Sequence, residues 1–233
     1  MDQIKISAKN LGQIALDDFC PRCFWIKLKV NNKLPWQIFP GIFSSIDSYT
    51  KKCTHILIDK GLQDLPWLST LGEITKYHKT PHWSKFTTDF PELAITLNGS
   101  MDDIFELQSE AFVIADYKTS RYTPNQDKLL PLYRIQLNGY KIIAERCGFK
   151  DVSGLWLIYF EPATEEGDAE QRAYPNGFDM RFNAKPIQIE IDDSLIIAAL
   201  EKTREIYELP LAPRGVEGCK DCQNLNPIID MFS

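Results

Sequence analysis

Two pairs of cysteines, nearly the whole chain apart, constrain this fold more than any other feature. Cys20 and Cys23 lie in Cys20-Pro21-Arg22-Cys23, and Cys219 and Cys222 in Cys219-Lys220-Asp221-Cys222. The opening residues, Met1-Asp2-Gln3-Ile4-Lys5, lack the apolar stretch of a signal peptide. In that context paired C-x-x-C motifs read as a metal site before they read as disulfides. If one site takes all four thiolates, the two ends of the chain must meet. By count the set suits tetrahedral Zn²⁺ and a [4Fe–4S] cluster equally. Loop-closure entropy grows only slowly with length, so such a clasp is feasible and would stabilise the fold. The alternative is four reduced, unliganded thiols. A dithiol redox site would need a thioredoxin-like βαβ setting, which neither pair has. Cys53 and Cys147 stand alone on apolar helical faces and are expected in the core.

The chain has 233 residues, enough for one or two domains. No linker separates two cores, so a single domain over 1–233 is expected. An aromatic content of 12% excludes a disordered chain. No apolar run approaches the roughly 20 residues of a bilayer span, and a cytoplasmic protein without membrane contact is expected. Net charge is −6, yet residues 1–60 hold 9 Lys/Arg against 5 Asp/Glu. The acidic total argues against non-specific coating of nucleic acid but leaves room for a local basic groove.

The coarse element order follows from periodicity. Residues 4–7 read as a short strand, with Ser7 capping a helix over Asn10 to Asp18. Residues 34–41 carry Pro35, Pro40 and Gly41, a loop signature. A helix is expected over 42–60, ending before Gly61. Leu93 to Leu107 reads as one extended strand interrupted at Gly99. A polar turn at 108–110 then leads to a buried strand over 111–117, making a hairpin. Residues 119–131 are polar loop with Pro124, and 132–147 form a helix that Gly148 can cap. A strand at 152–160, an acidic solvated loop at 161–176, strands within 178–191 and an amphipathic helix at 195–208 complete the order. Helix, hairpin, helix, strand favours an α/β domain with a mixed central sheet flanked by helices.

The sharpest chemical signal is Gly99-Ser-Met-Asp102-Asp103 followed by Ala115-Asp116-Tyr117-Lys118-Thr119. The hairpin can bring Asp102 and Asp116 together. Two carboxylates and a nearby carbonyl oxygen, that of Tyr117, suit a hard divalent cation such as Mg²⁺. Strand alternation points Asp116 and Lys118 to one face. The ammonium there can orient a bound water and offset charge on a phosphorane-like transition state. Taken alone, an Asp-x-Lys at a strand end is more often simply solvated. Gln136 and Tyr140 share a face of the next helix at i, i+4 spacing and can reach a phosphate or the lysine. Trp25, Trp36, Trp67 and Trp83 lie among Lys27, Lys29, Lys33, Lys51 and Lys52. Such interleaving can bind single strands by stacking, although core packing is the commoner use of tryptophan.

In their joint order, Gly99-x-x-Asp102, Asp116-Tyr117-Lys118 and Gln136-x-x-x-Tyr140 resemble the PD-(D/E)XK nuclease superfamily. The match is closest to the RecB-like branch that includes the CRISPR-associated iron–sulfur exonucleases. Ser7-Ala-Lys-Asn-Leu11 ahead of Cys20-Pro-Arg-Cys23-Phe-Trp also looks like that branch's opening. The resemblance implies a restriction-endonuclease-like core over about 40–208. Cysteine-bearing segments at about 15–30 and 214–225 would be joined to it by a structural [4Fe–4S] or zinc site. It implies Mg²⁺ or Mn²⁺ on Asp102 and Asp116, Lys118 as catalytic lysine, Gln136 and Tyr140 in support of substrate binding, and DNA as substrate. Many relatives carry a metal-binding histidine four residues beyond a glycine on the preceding helix. Counting from Gly41 gives Ser45, a poor Mg²⁺ ligand, and leaves Asp47 as the available substitute, with Lys51 and Lys52 facing the cleft if Asp47 does. Without that histidine, a catalytically inactive nucleic-acid-binding or assembly module on the same fold stays open. The CRISPR-associated relatives usually place one cysteine early and three late. The split here is two and two, so the cluster type also stays open.

Overall fold

The computed structural model describes residues 1–31, 40–62, 64–123 and 128–230. Lys33, Pro35, Trp36 and Pro124 lie outside the described residues. In chain order the elements are β1 (Ile4–Ser7), α1 (Ala8–Leu11), a 3₁₀ turn (Gly12–Ala15), α2 (Pro21–Lys29), α3 (Gly41–Asp59), α4 (Pro66–Ser69), β2 (Ile74–His78), β3 (Thr87–Phe90), β4 (Ile95–Asn98), β5 (Asp103–Leu107), β6 (Phe112–Lys118), α5 (Leu130–Arg146), β7 (Val152–Pro162), α6 (Glu166–Arg172), β8 (Ala173–Tyr174), β9 (Gly177–Phe178), β10 (Phe182–Ile189), α7 (Ser194–Tyr207) and α8 (Lys220–Asp230).

The central sheet has the strand order β10-β7-β6-β5-β2. Its β6–β7 pair is parallel and its other pairs are antiparallel, so the sheet is mixed as expected. The β5–β6 hairpin sets Asp103 opposite Ala115. Alternation along these strands divides the core in two. Ile104, Ile114, Leu155 and Leu157 join the cluster that includes Ile135, Leu137 and Ile143 of α5 and Ile196 and Leu200 of α7. Phe105, Val113, Ala115, Tyr117 and Ile158 join Ile58 of α3 and Leu68 of α4 on the other face. Thus α3 and α5 cover opposite faces, and the ends of β5 and β6 lie between them.

Several elements differ from the sequence reading. Ser7 Oγ does accept from Asn10 N (3.2 Å), but its helix starts at Ala8 and tightens into the 3₁₀ turn at Gly12. A Cβ on Gly12 would stand 2.5 Å from the Leu132 carbonyl of α5, so the backbone lies directly on α5 and does not run on to Asp18. Residues 93–107 are two strands in two sheets: β4 pairs with β1 and β3, while β5 belongs to the central sheet. The stretch 161–176 contains the end of β7, helix α6 and strand β8. Asp168 on α6 accepts an ion pair from Arg181 (3.1 Å), a partner that composition alone did not suggest. Cys53 and Cys147 are exposed, not core residues. The buried positions on the second half of α3 are Thr54 and Ile58, so Cys53 faces outward. The thiol of Cys147, at the end of α5, reaches the Lys85 carbonyl.

Candidate active site and cysteine cluster

The end of the β5–β6 hairpin gathers the acidic residues. Asp102 precedes β5, and its Oδ2 accepts from the backbone N–H of Tyr117 (2.7 Å). Asp116 sits next to that residue on β6, on the α5 face, and its Oδ2 is ion-paired with Lys118 Nζ. Gln136 on α5 donates through Nε2 to Asp116 Oδ1 (3.1 Å) and to the Tyr140 hydroxyl (2.8 Å). Both helical residues are buried. The two periodicities, two on the strand and i, i+4 on the helix, therefore meet. Gly99 makes room for this: a Cβ there would stand 2.7 Å from the Tyr140 ring.

The middle of α3 supplies the other wall. Lys51 Nζ lies 2.6 Å from Asp102 Oδ1 and 3.3 Å from Asp47 Oδ2. Asp47 is thereby brought to the carboxylates. Ser45 is exposed, with its hydroxyl donating to the Gly41 carbonyl (3.3 Å). Lys52 is exposed on the neighbouring flank of the helix.

Burial pushes the Asp116 carboxyl up to about 6; the Lys118 ammonium opposes that and Asp102 adds to it. Burial also raises Asp47, with Asp102 contributing and Lys51 opposing. Desolvation works against the Lys118 and Lys51 ammoniums. The facing carboxylates, Asp116 for one and Asp102 with Asp47 for the other, outweigh it and hold both above the ordinary lysine value. The site thus concentrates acidic groups that burial alone would neutralise, each balanced by a lysine.

Sequence reasoning missed an adjoining network. His55 Nε2 lies 2.7 Å from Asp103 Oδ1, and the Tyr117 hydroxyl donates to Asp103 Oδ2 (2.5 Å). The His55 ring stacks on Tyr77 with centroids 3.8 Å apart. Lys51 and His55, one helical turn apart, therefore grip the consecutive residues Asp102 and Asp103. The sequence shows only that these two basic side chains share a face of α3 at i, i+4; that the face meets the Asp-Asp step follows from packing alone.

Of the tryptophans, Trp25 and Trp67 are part-buried packing residues and Trp83 is 60% exposed. Lys27 is paired with Asp221 (2.7 Å), and Lys29 sits 3.6 Å over the Tyr207 ring. The stacking surface expected from their interleaving is therefore not assembled by Trp25 and Trp67.

At the opposite ends of the sequence, Cys20, Cys23, Cys219 and Cys222 meet, with all four Sγ atoms within 4.8 Å of one another. Cys20 caps α2 and Cys23 lies in its first turn; Cys219 precedes α8 and Cys222 lies in its first turn. Positive helix ends thus lie beside the sulfurs. Burial opposes the Cys20 thiolate, but the backbone N–H groups of Val216 and Cys23 outweigh it and bring that thiol down to about 7, while burial pushes the Cys23 and Cys219 thiols up. A cavity of about 460 Å³ lined by Phe19, Cys20, Cys23, Lys27 and Cys219 opens beside them, away from the carboxylates.

The family model of the PD-(D/E)XK nuclease superfamily matches residues 61–225, more than two thirds of the chain. That span holds Asp102, Asp116, Lys118, Gln136, Tyr140, Cys219 and Cys222. The α3 residues and Cys20 and Cys23 precede it. No curated protein matches the chain. Among solved structures, one described as "Crystal structure of SSO0001" matches with 14% identity and a TM-score of 0.41, covering 90% of this chain and 80% of that one.

Proposed function

The chain belongs to the PD-(D/E)XK nuclease superfamily, and from that premise we propose that it is a metal-dependent deoxyribonuclease of the RecB-like branch. In this reading residues 1–233 act as one nuclease-like domain in the cytoplasm, on DNA that includes single strands. The nearest analogy is to the CRISPR-associated iron–sulfur exonucleases. The observation that carries it is the buried Asp116–Lys118 pair held beside Asp102 and Gln136. Packing alone gives no reason to collect carboxylates in one desolvated place.

The residues fit a hard cation. Asp102 and Asp116 offer carboxylate oxygens, Asp47 lies one salt bridge away, and Gln136 Oε1 is a buried acceptor without a hydrogen-bond partner among the described residues. Asp102, Asp116, Asp47 and the Tyr117 carbonyl would hold Mg²⁺ or Mn²⁺. When bound, such an ion lowers the pKa of a coordinated water and offsets charge on the phosphoryl oxygens. Lys118, kept protonated by Asp116, supplies positive charge where a phosphodiester gains negative charge. Gln136, bonded to the Tyr140 hydroxyl, holds Asp116 in place, and the pair supports substrate binding through that carboxylate. The four cysteines serve as a structural metal site, iron–sulfur or zinc, that ties the chain ends to the core.

Cleavage of labelled single- and double-stranded DNA with Mg²⁺ or Mn²⁺ tests this. Lys118→Ala is expected to reduce the rate by about 10²–10³-fold, the usual cost of removing one transition-state charge stabiliser. Equal background in both proteins overturns the catalytic reading. A second reading, a non-catalytic nucleic-acid-binding module, is favoured by one contact: Lys51 already neutralises Asp102, where many relatives have a histidine ligand nearby. DNA binding that persists without cleavage would select it.

A further inference from the structure

We infer that the four cysteines hold a single tetrahedral ion, zinc, and not the iron–sulfur cluster that the family analogy suggests. This rests on reading the cysteines as metal ligands and is independent of the nuclease reading. The Sγ atoms of Cys20 and Cys222 are 3.6 Å apart, those of Cys23 and Cys219 3.7 Å, and those of Cys23 and Cys222 3.3 Å. No pair exceeds 4.8 Å.

Those separations decide the size of what can sit between them. A tetrahedral Zn–thiolate site, with bonds of about 2.3 Å, sets its sulfurs roughly 3.7–3.8 Å apart, and the separations of 3.3, 3.6 and 3.7 Å here lie at or just inside that spacing. In a [4Fe–4S] cube each thiolate binds a different iron, which drives the four sulfurs to roughly 6 Å apart. In a [2Fe–2S] rhomb two pairs bind different irons, and the sulfurs of one pair stand roughly 5 Å or more from those of the other. The observed set is too small for both.

The surroundings hold that spacing. Arg22 donates to Asn226 Oδ1 (2.8 Å) and Lys27 pairs with Asp221 (2.7 Å), so α2 and α8 are fastened by contacts flanking the sulfurs. The loop before α8 closes a third side: a Cβ on Gly215 would stand 2.9 Å from Cys222 Sγ. These contacts hold α2 against α8 at the spacing at which the sulfurs are seen. The backbone amides of Val216 and Cys23 lie against Cys20, the kind of outer hydrogen bonding that orients metal thiolates. The neighbouring cavity gives an ion a way in.

The test is metal content. The full chain is produced with iron and zinc both in supply and purified without oxygen, and its metals and acid-labile sulfide are counted. One zinc per chain, no labile sulfide and no visible charge-transfer absorption are expected. After chelation, Co²⁺ added to the wild type is expected to give the intense d–d bands of a tetrahedral thiolate site, saturating at one equivalent. Cys222→Ser is expected to lose the stoichiometric zinc. The cobalt titration needs no variant, so a misfolded Cys222→Ser protein leaves the test intact. Four irons with four labile sulfides per chain would overturn the inference. A metal-free chain with the cysteines in disulfides would overturn both it and the reading of the cysteines as ligands. DNA cleavage by the same sample is scored separately, so failure here and failure of the nuclease reading are distinguishable.

Discussion

Asp116 gives the most direct prediction at the scale of one residue. Its carboxyl is raised by burial from the ordinary 3.8 to about 6. A raised folded-state value means that the group favours the fold in its protonated form. That contribution is complete below the unfolded value and is lost as pH rises through about 6. With a chelator present, wild type is therefore expected to lose stability relative to Asp116→Asn as pH goes from 4 to 7, measured by urea unfolding of both proteins at each pH. Asp103 gives a second. It is 1% exposed and takes bonds from His55 and Tyr117. Asp103→Ala strands the Tyr117 hydroxyl in the core and is expected to cost about 1–3 kcal/mol in unfolding free energy; Asp103→Asn, which keeps an acceptor, is expected to cost less. The Asp116–Lys118 and Gln136–Tyr140 pairings could be read from the chain because each is set by local period. The grip of His55 on Asp103 could not, since its partners lie 48 residues apart and only the packing of α3 on the sheet joins them.

Among elements, the join between β4 and β5 matters most to the site. The sequence read 93–107 as one strand because apolar residues continue on both sides of Gly99. The chain instead changes sheets there, so that Asp102 stands at the mouth of the hairpin. Gly99→Ala is expected to push against the Tyr140 ring and, through Tyr140, to disturb Gln136. A loss of about 1–3 kcal/mol in thermal or urea unfolding, with a fall in any DNA cleavage, would show it; unchanged stability would refute the close packing. Helix α3 was legible from its apolar spacing, as were α5 and α7. Helix α8 was not, for it carries Pro227 inside it and few apolar residues. Its apolar contact runs through Cys222 and Leu225, and this becomes visible only when Cys20 and Cys23 are beside it. Helix α6 was hidden for a similar reason, its acidic composition resembling a solvated loop.

Across the whole molecule, the cysteine site is a long-range crosslink. Cys23 and Cys219 are separated by 196 positions, so releasing the site frees a loop of most of the chain. By analogy with a covalent link over such a span, removing it is expected to cost about 5 kcal/mol. A strong chelator or Cys219→Ser should lower the urea midpoint and open α8 to protease before the central sheet. Equal midpoints with and without chelator would show that the site does not fasten the ends. The mixed sheet and the meeting of the two C-x-x-C pairs were legible because period and chain-end spacing carry them. The separate β1-β4-β3 sheet was not, because its β1–β4 pairing sets Ile4 beside Ile95, far along the chain, with no local pattern to announce it.

The same separation has a consequence for how the protein is made. Cys222 is synthesised 202 residues after Cys20, so at ordinary elongation rates the first cysteine pair waits roughly 10–40 s for its partners. During that interval Cys20 and Cys23 are a bare dithiol on the nascent chain, open to oxidants and to stray metals. The clasp therefore cannot close until α8 has been made, and a chain released before Cys219 lacks two of the four thiolates that tie α2 to it.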